Sequence, residues 1–207
     1  MPPRRRSRGV GGCPFATAPD DLSEPVAWRP ELTAVTVILD AAPEGFETAA
    51  PVAPRALGAL LADLAGIDGR HIIVDDAAGE HRLWLRDPTA GRPLAAVIPL
   101  DKDFLTRIAS LLRFHRRLLG RAAGPLPRGW PLTPYRLARL DLMLRALDLR
   151  HEGATYRQIA AELGREDATK LSASDWKMSA SRSFVVRLVR DGLAMMNGDY
   201  RKLLRIR

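Results

Sequence analysis

The sequence predicts an α+β protein: a small, acidic, β-rich unit followed by a basic, all-helical unit with the outline of a helix-turn-helix. Three observations predict it. Apolar residues recur at strand-like spacing from Trp28 to Leu100 and at helical spacing beyond Leu100. The charge changes sign at the same place: residues 1–101 hold 10 Lys+Arg and 14 Asp+Glu, giving −4, and residues 102–207 hold 22 and 10, giving +12. Finally, the second half contains two well-marked helix starts, Thr133 before Pro134 and Thr155 three residues before Gln158. The implied organisation is a leader over 1–27, a β-rich subdomain over 28–101 and a helical domain over 102–207, with its core at 133–196.

The leader is rich in Pro, Gly and Arg without periodicity and is expected to be flexible, its Arg4–Arg6 cluster adding at most nonspecific phosphate contact. Strand-like runs follow at 33–40 (TAVTVILD), 71–76 (HIIVDD), 81–87 (HRLWLRD) and 94–100 (LAAVIPL). The second and third flank a turn around Gly79 and read as a hairpin; Pro99 places the last run at its end or on a sheet edge. A short helix is expected over 53–66 (APRALGALLADLAG). Beyond it, Asp101 or Asp103 should cap a helix with Phe104, Ile108, Leu111, Leu112, Leu118 and Leu119 on one side. Its opposite side carries Arg107, Arg113, Arg116 and Arg117. Thr133-Pro134 starts a helix with a Leu137, Leu140, Leu144 and Leu147 stripe, ending near Gly153. Thr155 and Gln158 form a capping box for a short helix that stops at Gly164. About ten irregular residues precede a last long helix whose buried side is Phe184, Val185, Leu188, Val189, Leu193 and Met196, with Asn197-Gly198 as its stop.

Composition bounds the function. No apolar run approaches the roughly 18 to 20 residues of a membrane span, and the arginines near the N-terminus have no hydrophobic segment behind them, so no membrane is expected and the cytoplasm is the expected location. Cys13 is the single cysteine, and His71, His81, His115 and His151 lack metal-ligand spacing, so neither a disulfide nor a metal or cofactor site is expected. Asp75-Asp76 is explained by a turn. No phosphate-cradling glycine loop or nucleophile elbow occurs, and the chain does not read as an enzyme.

The three last helices carry the chemistry. A short helix can brace against a DNA backbone through its N-terminal amides while the next lays its polar side in the major groove. Tyr156, Arg157 and Gln158 open the short helix. On the long one Ser183, Arg187 and Arg190 fall at i, i+4 and i+7, with Arg182 beside them and Lys177, Ser179 and Ser181 at or before its start. These ten residues are the candidate contacts to double-stranded DNA. A merely solvated basic face is the alternative. Trp176 either pins the long connection by packing or stacks on a base; Tyr156 and Tyr200 either reach a phosphate or seal a helix end. The connection from Gly164 to about Met178 exceeds the three to four residues usual in this motif, so the domain is an expanded variant.

The run RLDLMLRALDLRHEGATYRQIAAELG, followed by DWKMSASRSFVVRLVRDGLAMMNGDYRKLL, resembles the C-terminal DNA-binding domain of the RovC-like family of bacterial transcription factors, which includes the FseA activators and QseM antiactivators of mobile-element transfer. The upstream WRPELTAVTVILDAAPEGF and HRLWLRD through VIPLD also resemble the β portion preceding that domain. The resemblance covers roughly residues 28 to 205. It implies a transcriptional regulator acting on promoters of secretion or mobile-element genes, and leaves its sign open: activators of this kind bind promoter DNA, whereas antiactivators reuse the fold to bind another regulator. Larger members carry an extra N-terminal domain not seen in this sequence. A nonspecific nucleic-acid-binding or ribosome-associated protein is the remaining alternative. A homo-oligomer is also expected, since operators are commonly read by symmetric assemblies, with the acidic β half as the candidate contact.

Overall fold

Strand β1 (Phe15–Thr17) pairs antiparallel with β2 (Ala27–Trp28), joining Phe15 to Trp28 and Thr17 to Ala27. The leader, expected to lack periodic structure, thus contributes a strand. These positions belong to a computed structural model that describes residues 15–17, 25–49, 51–87, 91–127, 129–130 and 132–204. Arg4–Arg6 and Cys13 lie outside the described residues.

Strands β3 (Thr36–Ala41), β4 (Leu60–Gly66), β5 (Gly69–Val74), β6 (His81–Leu85) and β7 (Leu94–Val97) form one sheet in the order β4-β5-β6-β3-β7. The expected β5–β6 hairpin is present, with His71 opposite Trp84 and Val74 opposite His81. Among the described residues only β3 and β6 run parallel, and the long connection that a parallel pair requires is supplied by the segment holding the β4–β5 hairpin. β7 is an edge strand, as Pro99 suggested.

The helix expected over 53–66 is a correction. Only α1 (Pro54–Leu57) is helical; Gly58 ends it and the chain turns into β4. Leu60, Ala62 and Leu64 face inward and Leu61, Asp63 and Ala65 outward, so a strand period lay inside a run of good helix formers. Pairing with β5 across a two-residue turn at Ile67-Asp68 overrides local propensity. Gly69 closes that turn with φ +126°, where an added Cβ would lie 2.2 Å from the Leu85 carbonyl oxygen.

One face of the sheet packs on α2 (Phe104–Leu118) through Val37, Leu39, Ile72, Val74, Leu83, Leu85 and the fully buried Phe114. The buried side is rotated from the one expected: Leu111 and Leu118 of the expected stripe do pack on the core, but other positions exchange places. Arg107 and Arg113 are buried, whereas Leu105, Leu112 and Leu119 are exposed. Arg113 explains why: it donates from Nε to the Gly124 carbonyl at 3.1 Å and from Nη2 to Gly79 and Ala78 at 2.8 and 3.0 Å, closing loops whose carbonyls have few other donors. Arg107 donates to Asp101 at 2.8 Å and to the Pro30 carbonyl at 3.3 Å, and Arg117 meets Asp76 at 3.0 Å. His81 lies against Phe114, and burial, then the Arg113 charge, holds its pKa below 6.5.

The chain divides into two compact units, residues 1–130 with 204–207, and residues 131–203. By packing, α2 therefore belongs with the sheet, although the charge pattern joins it to the helical half. The second unit comprises α3 (Pro134–His151), α4 (Tyr156–Glu162), α5 (Asp167–Lys170), α6 (Ala173–Met178), α7 (Ala180–Met196) and the 3-10 turn Asp199–Leu204 as far as residue 203. Its core is Met143, Ala146, Ile159, Ala160, Ala168, Val185, Leu188 and Val189. On α3 the buried residues are Met143 and Ala146, with Leu140 and Leu147 beside them; Leu137 and Leu144 of the expected stripe are exposed. On α7 Leu193 and Met196 likewise reach solvent, and Gly192 takes the buried place because an added Cβ would meet Leu147 of α3 at 2.9 Å.

Candidate nucleic-acid interface

Capping positions all three helices of the candidate motif. Thr133 Oγ1 accepts from the Arg136 amide at α3, and Thr155 with Gln158 forms the full capping box at α4, where Gln158 Oε1 accepts from the Thr155 amide at 2.8 Å. At α7 the Ser179 hydroxyl accepts from the Arg182 amide at 3.1 Å and donates to the Trp176 carbonyl at 2.9 Å. One side chain thus ends α6 and starts α7.

The long connection between α4 and α7 is not irregular. It forms α5 and α6, each seated by one contact with the core: Ala168 is buried, and Trp176 packs against it while half-covered. The packing role of Trp176 is the one the structure places. The Arg157 guanidinium lies 5.4 Å from the Trp176 ring centre and donates to the Ser172 carbonyl at 3.2 Å, so Arg157 ties α4 to α6.

The ten candidate contacts separate into two groups. Tyr156 is half-buried on the core with Arg150 5.0 Å above its ring, Arg157 is engaged as described, and Gln158 gives its side-chain carbonyl to the cap. Ser179 is likewise a cap, and Ser181 and Arg182 are half-buried on the flank of α7. The open surface is Lys177 at the end of α6 and Ser183, Arg187 and Arg190 on α7, all exposed; Gln158 is exposed as well, with its carbonyl held by the cap. At 3.6 residues per turn, the last three share a stripe opposite Val185, Leu188 and Val189. Among the described residues, Lys177 and Arg187 have no carboxylate partner. Arg190 donates to Asp191 at 2.9 Å while remaining 71% exposed.

Asp191 was not singled out by sequence reasoning, since an Arg-Asp neighbour pair on a helix carries no signal of its own. It accepts from Arg190 and, at 2.8 Å, from Arg139 of α3. The Arg190 hydrogen bonds, aided by Arg139, hold its carboxyl below the usual carboxylate range. It fixes α7 on α3 and tethers one end of the cationic stripe. Arg165, also missed, lies 4.1 Å from the Phe184 ring centre and covers the side of α7 that faces α4 and α5.

Such a surface can receive a duplex. A helix of 17 residues spans about 26 Å, fits a major groove about 12 Å wide, and presents guanidinium groups that can donate bidentately to guanine. Among the described residues no group of three or more His, Cys, Asp or Glu could hold a metal ion, and no helix is long and apolar enough to cross a membrane.

Comparison with known families agrees with this geometry. Residues 97–205 match the family model of the RovC DNA-binding domain, described as a T6SS transcription factor DNA-binding domain. Residues 35–96 match that of a domain of unknown function (DUF7012), and the two matches meet inside β7. No curated protein matches this chain.

Proposed function

We propose that this chain, which belongs to the RovC family of T6SS transcription-factor DNA-binding domains, binds promoter DNA of secretion or mobile-element genes in the cytoplasm through the exposed stripe of α7. Ser183, Arg187 and Arg190 face the groove, and Lys177 contacts the flanking phosphate. Tyr156, Arg157 and Gln158 act one step back, by setting α4 and α6 so that α7 stands clear. The observation that carries this reading is that Ser183, Arg187 and Arg190 share one solvent-facing stripe of α7, with Arg187 and the nearby Lys177 free of any carboxylate partner among the described residues. Charge left unpaired on one stripe suits a polyanion.

The test is duplex selection from genomic fragments with the full chain, followed by a salt titration on the enriched sequence. The expected result is enrichment of one sequence and a slope of log affinity against log salt of about −0.9 per phosphate neutralised. Equal affinity for scrambled duplexes or RNA would favour a nonspecific nucleic-acid binder. Co-purification with another regulator, and no enrichment of DNA, would instead make the chain an antiactivator. A homo-oligomer would let two such helices read a symmetric site.

A further inference from the structure

Between the sheet, α1 and α2, within the first unit, lies a cavity of 510 Å³ that the DNA-facing stripe does not use. Leu39 and Leu94 of the sheet, Leu57 of α1, and Leu111 and Leu118 of α2 form its walls. Protein interiors leave few voids larger than a water molecule, whereas cavities of roughly 300 to 1,000 Å³ are the size that takes a small organic ligand. Leu94, Leu111 and Leu118 touch the core yet are only half-buried, so an occupant would remove further apolar surface from water. Ala56, His115 and Leu119 also line the cavity, and their exposure marks its mouth. Polar groups are few. The ionisable side chains in the wall are His115 and Arg117, and none of the described lining residues is acidic.

We infer that this cavity binds a single aliphatic chain ending in a carboxylate, with the chain along the leucines and the carboxylate at Arg117. The walls select the body. Among the described lining residues Phe114 supplies the one aromatic ring, and His81 already meets it edge-on with ring centres 6.4 Å apart. The surface on offer is therefore leucine and alanine methyl groups rather than a stacking face. Charge selects the head. Arg117 Nε is buried and stands 3.0 Å from Asp76 without donating a hydrogen bond to it, and the guanidinium makes no other hydrogen bond among the described residues. Arg113, whose own bonds go to carbonyls, shares the field of that one carboxylate, while burial disfavours a charge on the neighbouring His81. Two guanidinium groups thus face one carboxylate, and a surplus of one positive charge suits a monoanion better than a phosphate. A guanidinium can hold a carboxylate through two parallel hydrogen bonds. The site lies in the sheet unit, so this inference goes beyond the proposed DNA contact and stands whether or not α7 enters DNA.

Calorimetric titration of the full chain with decanoate is expected to show one saturable site, with decanol about tenfold weaker. Ala56→Phe sets a ring in the mouth from an exposed position and should abolish binding of both, with the circular dichroism spectrum unchanged. Arg117→Met should bring decanoate down to the affinity of decanol and leave decanol where it was, whereas Arg117→Lys should keep the preference for the acid. The comparison of acid with alcohol on the wild type decides the matter even where a variant fails to fold. No saturable binding of decanoate, equal affinity for decanol, or a folded Ala56→Phe variant that binds decanoate as the wild type does would overturn the inference. Decyl phosphate binding more tightly than decanoate would overturn the choice of head group. A chain that takes decanoate and selects no duplex would sink only the DNA reading, and one that selects a duplex and takes no decanoate would sink only this inference.

Discussion

Helices α2 and α7 look alike in sequence and do opposite things with their arginines. Both are amphipathic, and both carry several cations beside an apolar stripe. In α2, Arg107 and Arg113 point inward, and their guanidinium groups satisfy the Pro30, Ala78, Gly79 and Gly124 carbonyls. In α7, Arg187 and Arg190 point outward, and the core is left to Val185, Leu188, Val189 and Gly192. The difference teaches that a cationic stripe stays open to solvent only where the fold has no carbonyls for it to close. Arginine's long stem makes either use possible.

The largest expected effect separates the two helices. Arg113→Ala removes the donors of several carbonyls at once and should destabilise the protein by about 3 kcal/mol or more, read by chemical denaturation, with DNA affinity per folded molecule unchanged. Arg187→Ala should do the reverse: duplex affinity falls by about 1 to 3 kcal/mol, and the thermal transition stays where it was. Were Arg187→Ala to unfold the protein, or Arg113→Ala to abolish binding in a folded molecule, the contrast would be broken.

Smaller effects sharpen it. Lys177→Ala, at the mouth of α7, should reduce the salt slope by about one unit across all sequences, without altering which sequence is preferred. Titration of the sheet unit is the mildest. The His81 ring, buried against Phe114 and near Arg113, has its pKa lowered from 6.5. Below about 6.5 the unfolded ring takes up a proton that the folded one refuses. Stability therefore falls as pH drops through that value toward the folded pKa. Melting temperatures measured at pH ~7.5 and ~5.5 should differ more for wild type than for His81→Leu, and duplex affinity should be indifferent to the substitution.

How much of this the sequence disclosed depends on where the deciding contact lay. The caps at Thr133 and Thr155 were legible because each is a local bond, satisfied within three residues. The stops at Gly153 and Gly198 were legible for the same reason, the β5–β6 hairpin through the turn at Gly79, and the outward setting of Ser183, Arg187 and Arg190 through the helical period. The face of α2 was not, because the acceptors of Arg113 lie 11 to 35 residues away. Nor was β4, whose partner strand outbid a helix-favouring composition. The engagement of Arg157 with Trp176 was hidden too, since nothing local indicates that α4 and α6 meet.

One measurement tests the central claim, that the open stripe of α7 is the part that enters DNA. A cleavage reagent tethered to Ser183→Cys, in a Cys13→Ser background, should cut the selected duplex at a few positions inside its preferred site, whereas the same reagent on Leu144→Cys, on the outer side of α3, should not. Cleavage from Leu144 with none from Ser183 would contradict the assignment.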